Sequence, residues 1–146
     1  MKLREKFCAW LFEVSKVPYR FLFKQKKTAW GLSSDDLLAY PENTLGHHVG
    51  LFLKTNKFEL IPKLESHDVY HVVCDMNTSV RDEIGMQYLL MGNGKKSVYQ
   101  KITVILGFCL LPEYYAYFRS CYRKGKKLGA VYELDLFQEL HADLEE

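Results

Sequence analysis

Four side chains able to bind a metal fall in one short stretch: His67, Asp68, His71 and, twelve residues after His71, Glu83. On a helix turning about 100° per residue, positions i and i+4 lie about 40° apart. His67 and His71 therefore project from one face and could share an ion. Asp68, about 100° round from His67, could ligate the same ion or fix a histidine tautomer from behind it. Asp75-Met76-Asn77-Thr78 reads as a polar loop before the next helix. A loop of about seven residues lets that helix fold back antiparallel and aim Glu83 at the same point. Two imidazoles with two carboxylates and no thiolate suit Zn²⁺ in an open, catalytic-type site, or Fe²⁺ or Mn²⁺, better than a closed structural zinc. The other reading of the same residues is a polar helix face whose histidines make ordinary hydrogen bonds. Tyr70 and Gln87 are candidates for supporting the ligands, whereas His47, His48 and His141 show no clear partners in the sequence.

The elements that must position these residues read as helices. Leu3, Phe7, Trp10, Leu11, Val14 and Val17 follow a three-and-four spacing, which is one helix face. Pro18 is expected to kink or restart that helix, because proline removes a backbone donor. Tyr19 to Phe23, followed by lysines, reads as aromatic core or as an interfacial membrane anchor. Ser33-Ser34 before Asp35-Asp36 is an N-cap with acids in the first turn. Asn43 or Thr44 caps a helix running to about Asn56. After Pro62 a helix spans about Lys63 to Cys74. Ser79 with Asp82 resembles a capping box and opens the helix that carries Glu83. Gly92-Asn93-Gly94 stops it. Ser97 to Leu111, a helix after Pro112 ended by Gly125, and a last helix from about Glu133 to Leu144 complete the series. These spacings predict one all-α domain over residues 1–146, an irregular bundle of seven or eight helices.

Composition excludes several classes. Lys and Arg total 20 against 18 Asp and Glu, so the chain is not a polycation built to coat nucleic acid. The charge is uneven, with eleven basic and six acidic residues in 1–63 but nine and twelve in the remainder. A basic half favours an anionic partner such as a membrane surface, or is simply a solvated face. Arg119, Arg123, Lys124, Lys126 and Lys127 form the densest positive cluster, suited to headgroups or to a helix C-terminus. Cys8, Cys74, Cys109 and Cys121 are scattered, without a CxxC pair, and read as small buried hydrophobes in a reducing compartment. The apolar run Ile102 to Leu111 is about half the length a membrane span needs. The N-terminal apolar run is interrupted by charges and shows no cleavage site, so neither a signal nor a transit peptide is expected. Serine-nucleophile, Rossmann and phosphate-loop signatures are absent.

Taken together, His67-Asp68-x-x-His71, eleven intervening residues and Glu83 resemble the HDxxH-x11-E signature of the ubiquinone (coenzyme Q) biosynthesis protein 4 family. Tyr40-Pro41-Glu42-Asn43-Thr44-Leu45-Gly46, with Phe52-Leu53 after it, is similar to the proline-x-glycine-threonine-leucine-glycine segment upstream of that signature. Glu83-Ile84-Gly85-x-Gln87 is similar to the family's Glu-Val/Ile-Ala-x-Gln. Tyr122 to Lys127 is similar to its basic Arg-x-Gly-Arg/Lys segment, and Leu134 to Phe137 to its Asp-Trp-Glu. The resemblance spans about residues 30–140. This chain departs from the pattern at Cys74-Asp75-Met76-Asn77, where glycines are usual, and at Asp82, which replaces a glycine. Asn43 also stands where a glycine is usual, and His47-His48 replaces an arginine or aromatic.

The resemblance implies an all-α protein of quinone biosynthesis. It implies a divalent metal, most often zinc, with Fe²⁺, Mn²⁺ or Mg²⁺ as the other choices. The metal ligands and catalytic residues it implies are His67, Asp68, His71 and Glu83. The implied activity is removal of the C1 carboxylate of a polyprenylated benzoate precursor by oxidative decarboxylation. The alternative it leaves open is a non-catalytic isoprenoid-lipid-binding or scaffold protein of a membrane-associated biosynthetic complex. The implied partners are a prenylated aromatic lipid or isoprenoid, a membrane surface, other quinone-biosynthesis proteins and a second copy of the chain. The implied location is cytoplasmic, peripheral on the inner membrane surface. The many aromatic residues could line a groove for the apolar tail.

Overall fold

The computed structural model describes residues 2–23 and 26–144; within the first helix the side chains at 16, 17 and 19–23 are not described. Among the described residues there are seven α-helices and no strand. They are α1 (Leu3–Phe23), α2 (Ser34–Leu38), α3 (Leu45–Asn56), α4 (Glu65–Val73), α5 (Val80–Gly92), α6 (Val98–Leu110) and α7 (Tyr115–Lys127). The all-α expectation holds. The chain divides into two compact units, one made of Met1–Tyr19 with Met76–Glu133 and the other of Arg20–Asp75 with Leu134–Glu146.

The first unit contains the N-terminal part of α1 with α5, α6 and α7. Ser79 caps α5, accepting a hydrogen bond from the Asp82 amide, as its spacing predicts. Ser97 does the same for α6 through the Gln100 amide. Ile84 of α5 faces Gly107 of α6, while Tyr88 donates to the Val104 carbonyl at 3.1 Å, so these two helices run antiparallel. α5 and α7 run in the same direction, with Gly85 near Tyr117 at one end and Asn93 at the Gly125 carbonyl at the other. The core is Ile84, Met86, Leu89, Leu90, Leu111 and Phe118. Tyr88 stacks on Phe118 with ring centroids 5.0 Å apart.

Two sequence expectations fail here, at Gly125 and in the C-terminal segment, and one of the two alternatives at Pro18 is removed. Gly125 does not end α7, which continues to Lys127; the glycine is buried inside the helix. A Cβ there would fall on the Leu89 carbonyl oxygen of α5, so this glycine serves close helix approach rather than a C-cap. Pro18 does not restart α1, which continues through it to Phe23. A proline deletes one backbone bond, and the bonds of neighbouring turns carry the helix past it. Finally, the expected helix from Glu133 to Leu144 is replaced by two short 3₁₀ turns, Val131–Glu133 and Gln138–His141. Asp135 Oδ1 accepts from the Phe137 amide at 3.2 Å, a side-chain turn that competes with helix. Beyond it, Leu45 and Leu144 amides bond to Ala142 and Asn43 carbonyls, and Thr44 and Asp143 form an isolated antiparallel bridge.

The second unit packs α2, α3 and α4 with the 3₁₀ turn at Gln138–His141. Ser33 and Asp36 form the full capping box at the start of α2. Thr44, rather than Asn43, caps α3. Leu37, Leu45, Val49, Leu53, Val69, Leu136 and Leu140 are buried in this unit. The Glu65 carboxylate, buried at the start of α4, accepts from the Trp30 amide at 3.0 Å. The aromatic run at Tyr19 to Phe23 lies outside the described side chains.

Candidate metal centre

α4 carries both histidines of the motif and behaves as the three-and-four spacing requires. His67 and His71 Nε2 atoms approach to 3.3 Å, with the ring planes at 78°. Both imidazoles thus point their outer nitrogens at one place. His71 is 3% exposed, whereas His67 is half-buried. Phe52 of α3 lies nearly parallel to the His71 ring, 17° apart at 5.2 Å. That stack restricts rotation of the imidazole and holds its Nε2 edge toward His67. Phe52 belongs to a segment singled out by sequence, but nothing in the sequence marked it as the support of a histidine.

The 3.3 Å separation matches a shared ion in tetrahedral geometry. Two nitrogens each about 2.0–2.1 Å from zinc, at the tetrahedral angle, stand about 3.3–3.4 Å apart. A direct hydrogen bond between neutral imidazoles is the other use of that geometry. The donor chemistry and the spacing therefore fit a divalent ion.

Asp68 lies in the same turn, half-buried, but does not group with both imidazoles. Its position about 100° round the helix accounts for this. Glu83 lies half-buried in the first turn of α5, directly after the buried Asp82. Tyr70 is buried in α4, and burial pushes its phenol up to about 12. Gln87 is buried as well, and its backbone carbonyl accepts from Gln100 Nε2 at 3.4 Å.

The remaining histidines have local roles. His47 Nδ1 lies 3.0 Å from the Leu38 carbonyl and 3.1 Å from that of Tyr40, so as the Nδ1–H tautomer it ties α3 to the end of α2. This supplies the partner that sequence reading did not find. His141 packs against Tyr40, with ring centroids 4.8 Å apart and the planes tilted by 37°, and His48 is exposed. Of the four free cysteines, Cys8, Cys74 and Cys121 are buried as expected, but Cys109 is exposed on α6.

A polar cluster that the sequence only half revealed surrounds the start of α5. Asp82 is 3% exposed. Its Oδ2 accepts from Ser79 Oγ at 2.7 Å, and its Oδ1 accepts from Tyr117 Oη of α7 at 2.5 Å. Arg81 reaches the same Oδ1 at 3.3 Å and lies over the Tyr117 ring, 4.5 Å from its centroid. Burial first, then the Asp82 carboxylate, pushes the Tyr117 phenol well above its usual range. The capping spacing signalled the Ser79–Asp82 half; the tyrosine lies 35 residues away and left no local signal.

No described helix is long and apolar enough to cross a membrane. The basic cluster of α7 is exposed along its length.

No protein-family model matches the chain, and no curated protein does. Among solved structures, it is similar to a crystal structure from Nostoc punctiforme provisionally assigned to ubiquinone biosynthesis. The TM-score is 0.57 at 22% identity, covering 97% of this chain and 77% of that one. At this identity the likeness is one of fold: the chain shares its helical architecture with that protein.

Proposed function

We propose that this chain is a divalent-metal protein of ubiquinone biosynthesis that removes the C1 carboxylate of a polyprenylated benzoate precursor. The observation that carries the proposal is the 3.3 Å approach of the two Nε2 atoms on α4, the bite of a tetrahedral ion. It is supported by the HDxxH-x11-E spacing and by the shared fold with a structure provisionally assigned to that pathway. In this reading His67 and His71 hold the ion, most readily Zn²⁺, and Glu83 joins them as the carboxylate ligand. Asp68, which does not group with both imidazoles, is left the supporting role of fixing a histidine tautomer. Phe52 keeps the buried imidazole in register. When bound, such an ion supplies positive charge to a carboxylate or phenolate oxygen of the substrate.

The test is release of labelled CO₂ from a carboxyl-labelled polyprenylated hydroxybenzoate by the zinc-loaded chain under oxygen. Glu83→Gln should reduce turnover by at least about 100-fold, as loss of a charge-stabilising group does, while its helical circular dichroism is retained. Turnover unaffected by both chelation and this substitution would refute the catalytic reading.

A specific observation favours a second reading, a lipid-binding or scaffold role. Val98, Ile102, Ile105 and Phe108 form an exposed apolar face on α6, with Ile105 60% exposed. Leu3, Phe7, Trp10 and Val14 do the same on α1, where Phe7 and Trp10 stack at 6.0 Å. Both faces leave large apolar side chains exposed. Under this reading the chain retains isoprenoid lipid in native mass spectrometry and shows no CO₂ release.

A further inference from the structure

We infer that Asp82 and Tyr117 are positioning residues that fix the turn of α5 presenting Glu83. The inference rests on the reading of Glu83 as a metal ligand. Asp82 is the third residue of α5, and Glu83 follows it in the same turn. The Asp82 carboxylate is almost fully buried, and each of its oxygens has a fixed donor: Ser79 Oγ for one, Tyr117 Oη for the other. The first bond closes the turn on itself. The second ties the turn to α7. The N-cap of α5 needs only Ser79 and the Asp82 amide, so the bond to Tyr117 does something capping does not require.

The tyrosine is itself held. Its ring edge lies where a Cβ on Gly85 would stand, 2.8 Å from Cε1, so only glycine at that position lets the ring seat against α5. Arg81 covers the ring face at 4.5 Å and also reaches Asp82. Residues on both sides of Glu83 are thereby locked to α7: Asp82 by the hydrogen bond from Tyr117, Gly85 by contact. Hydrogen bonds of this outer kind set the direction and strength of a metal ligand.

The experiment is zinc titration of the full chain, well below its melting temperature, for the wild type, Tyr117→Phe, Asp82→Ala, Asp82→Asn and Glu83→Gln. Tyr117→Phe keeps the ring and removes only the hydroxyl. It should weaken Zn²⁺ binding by about 10-fold, the lower end for outer-shell partners. Asp82→Ala should do the same or more, and Asp82→Asn, whose single amide oxygen can still accept from Tyr117 while its NH2 reverses the other bond and donates to Ser79 Oγ, should stay within about threefold of wild type. Hydrogen exchange in the metal-free chain should be faster at the amides of residues 82–86 in Tyr117→Phe. If Glu83→Gln loses zinc while Tyr117→Phe binds as wild type does, the positioning inference is overturned and the metal reading stands. If Glu83→Gln binds zinc like the wild type, Glu83 is no ligand and both fall. Equal loss in Asp82→Asn and Asp82→Ala would also overturn it, since charge rather than the hydrogen-bonded turn would then be at work.

Discussion

Gly125→Ala is expected to destabilise the chain by about 3 kcal/mol or more, lowering the melting temperature by on the order of 10 °C. Helix propensity alone predicts the reverse, a gain of roughly 0.5–1 kcal/mol for alanine inside a helix. The contacts decide the sign. A Cβ on Gly125 would overlap the Leu89 carbonyl oxygen and stand 2.8 Å from its carbon and 3.1 Å from the Asn93 nitrogen. All three are backbone atoms, so no rotamer change can relieve the clash, and α5 and α7 must separate. Gly92 meets the Tyr122 backbone in the same way from the other helix. Separation would also strain Asn93, whose side chain donates to the Gly125 and Gly129 carbonyls at 3.1 and 2.7 Å. Gly129→Ala is the internal control. Nothing lies within 4 Å of its would-be Cβ, so its effect should remain within about 0.5 kcal/mol. Thermal melts of the two variants, side by side, check the prediction. Similar melting temperatures would mean that the backbones are not packed this closely.

The second large effect is expected at His71. His71→Ala should weaken zinc binding by more than about 100-fold, beyond the range seen for outer-shell partners. It should also cost stability without any metal, because the ring is buried against Phe52 and its removal leaves a cavity. His67→Ala separates the two contributions. His67 is only half-buried, so it should lose zinc equally while keeping most of the metal-free stability. A ligand that binds the folded chain at about 100 times its dissociation constant adds about 2.7 kcal/mol. Wild-type chain should therefore melt higher with added Zn²⁺, and neither variant should respond. A zinc-dependent rise that persists in both variants would place the ion elsewhere.

The local signals were the legible part of the sequence. Serine, threonine and acid spacings located the starts of α2, α3 and α5, because a cap is made within four residues of itself. The i, i+4 spacing of His67 and His71 likewise fixed their convergence, since it depends only on helix geometry. What the sequence concealed depends on partners distant in the chain. Gly125 looks like a helix stop until the Leu89 carbonyl is seen behind it. Tyr117 and Phe52 look like core aromatics until their polar neighbours are known. The apolar periodicity of Leu3 to Val14 correctly indicated a helix face but not its surroundings, and Leu3 is 83% exposed. The last segment failed for another reason: its helix-like composition lost to Asp135, which caps a tighter turn, and to backbone pairing around Thr44 and Asp143.

Zinc K-edge X-ray absorption on the loaded, dialysed wild-type chain tests the central claim most directly. The account predicts one ion per chain, with two imidazole nitrogens at about 2.0–2.1 Å and oxygen in the remaining positions. Failure to retain the ion, or a spectrum without imidazole scattering, would contradict it and leave the His67–His71 pair as an ordinary hydrogen bond.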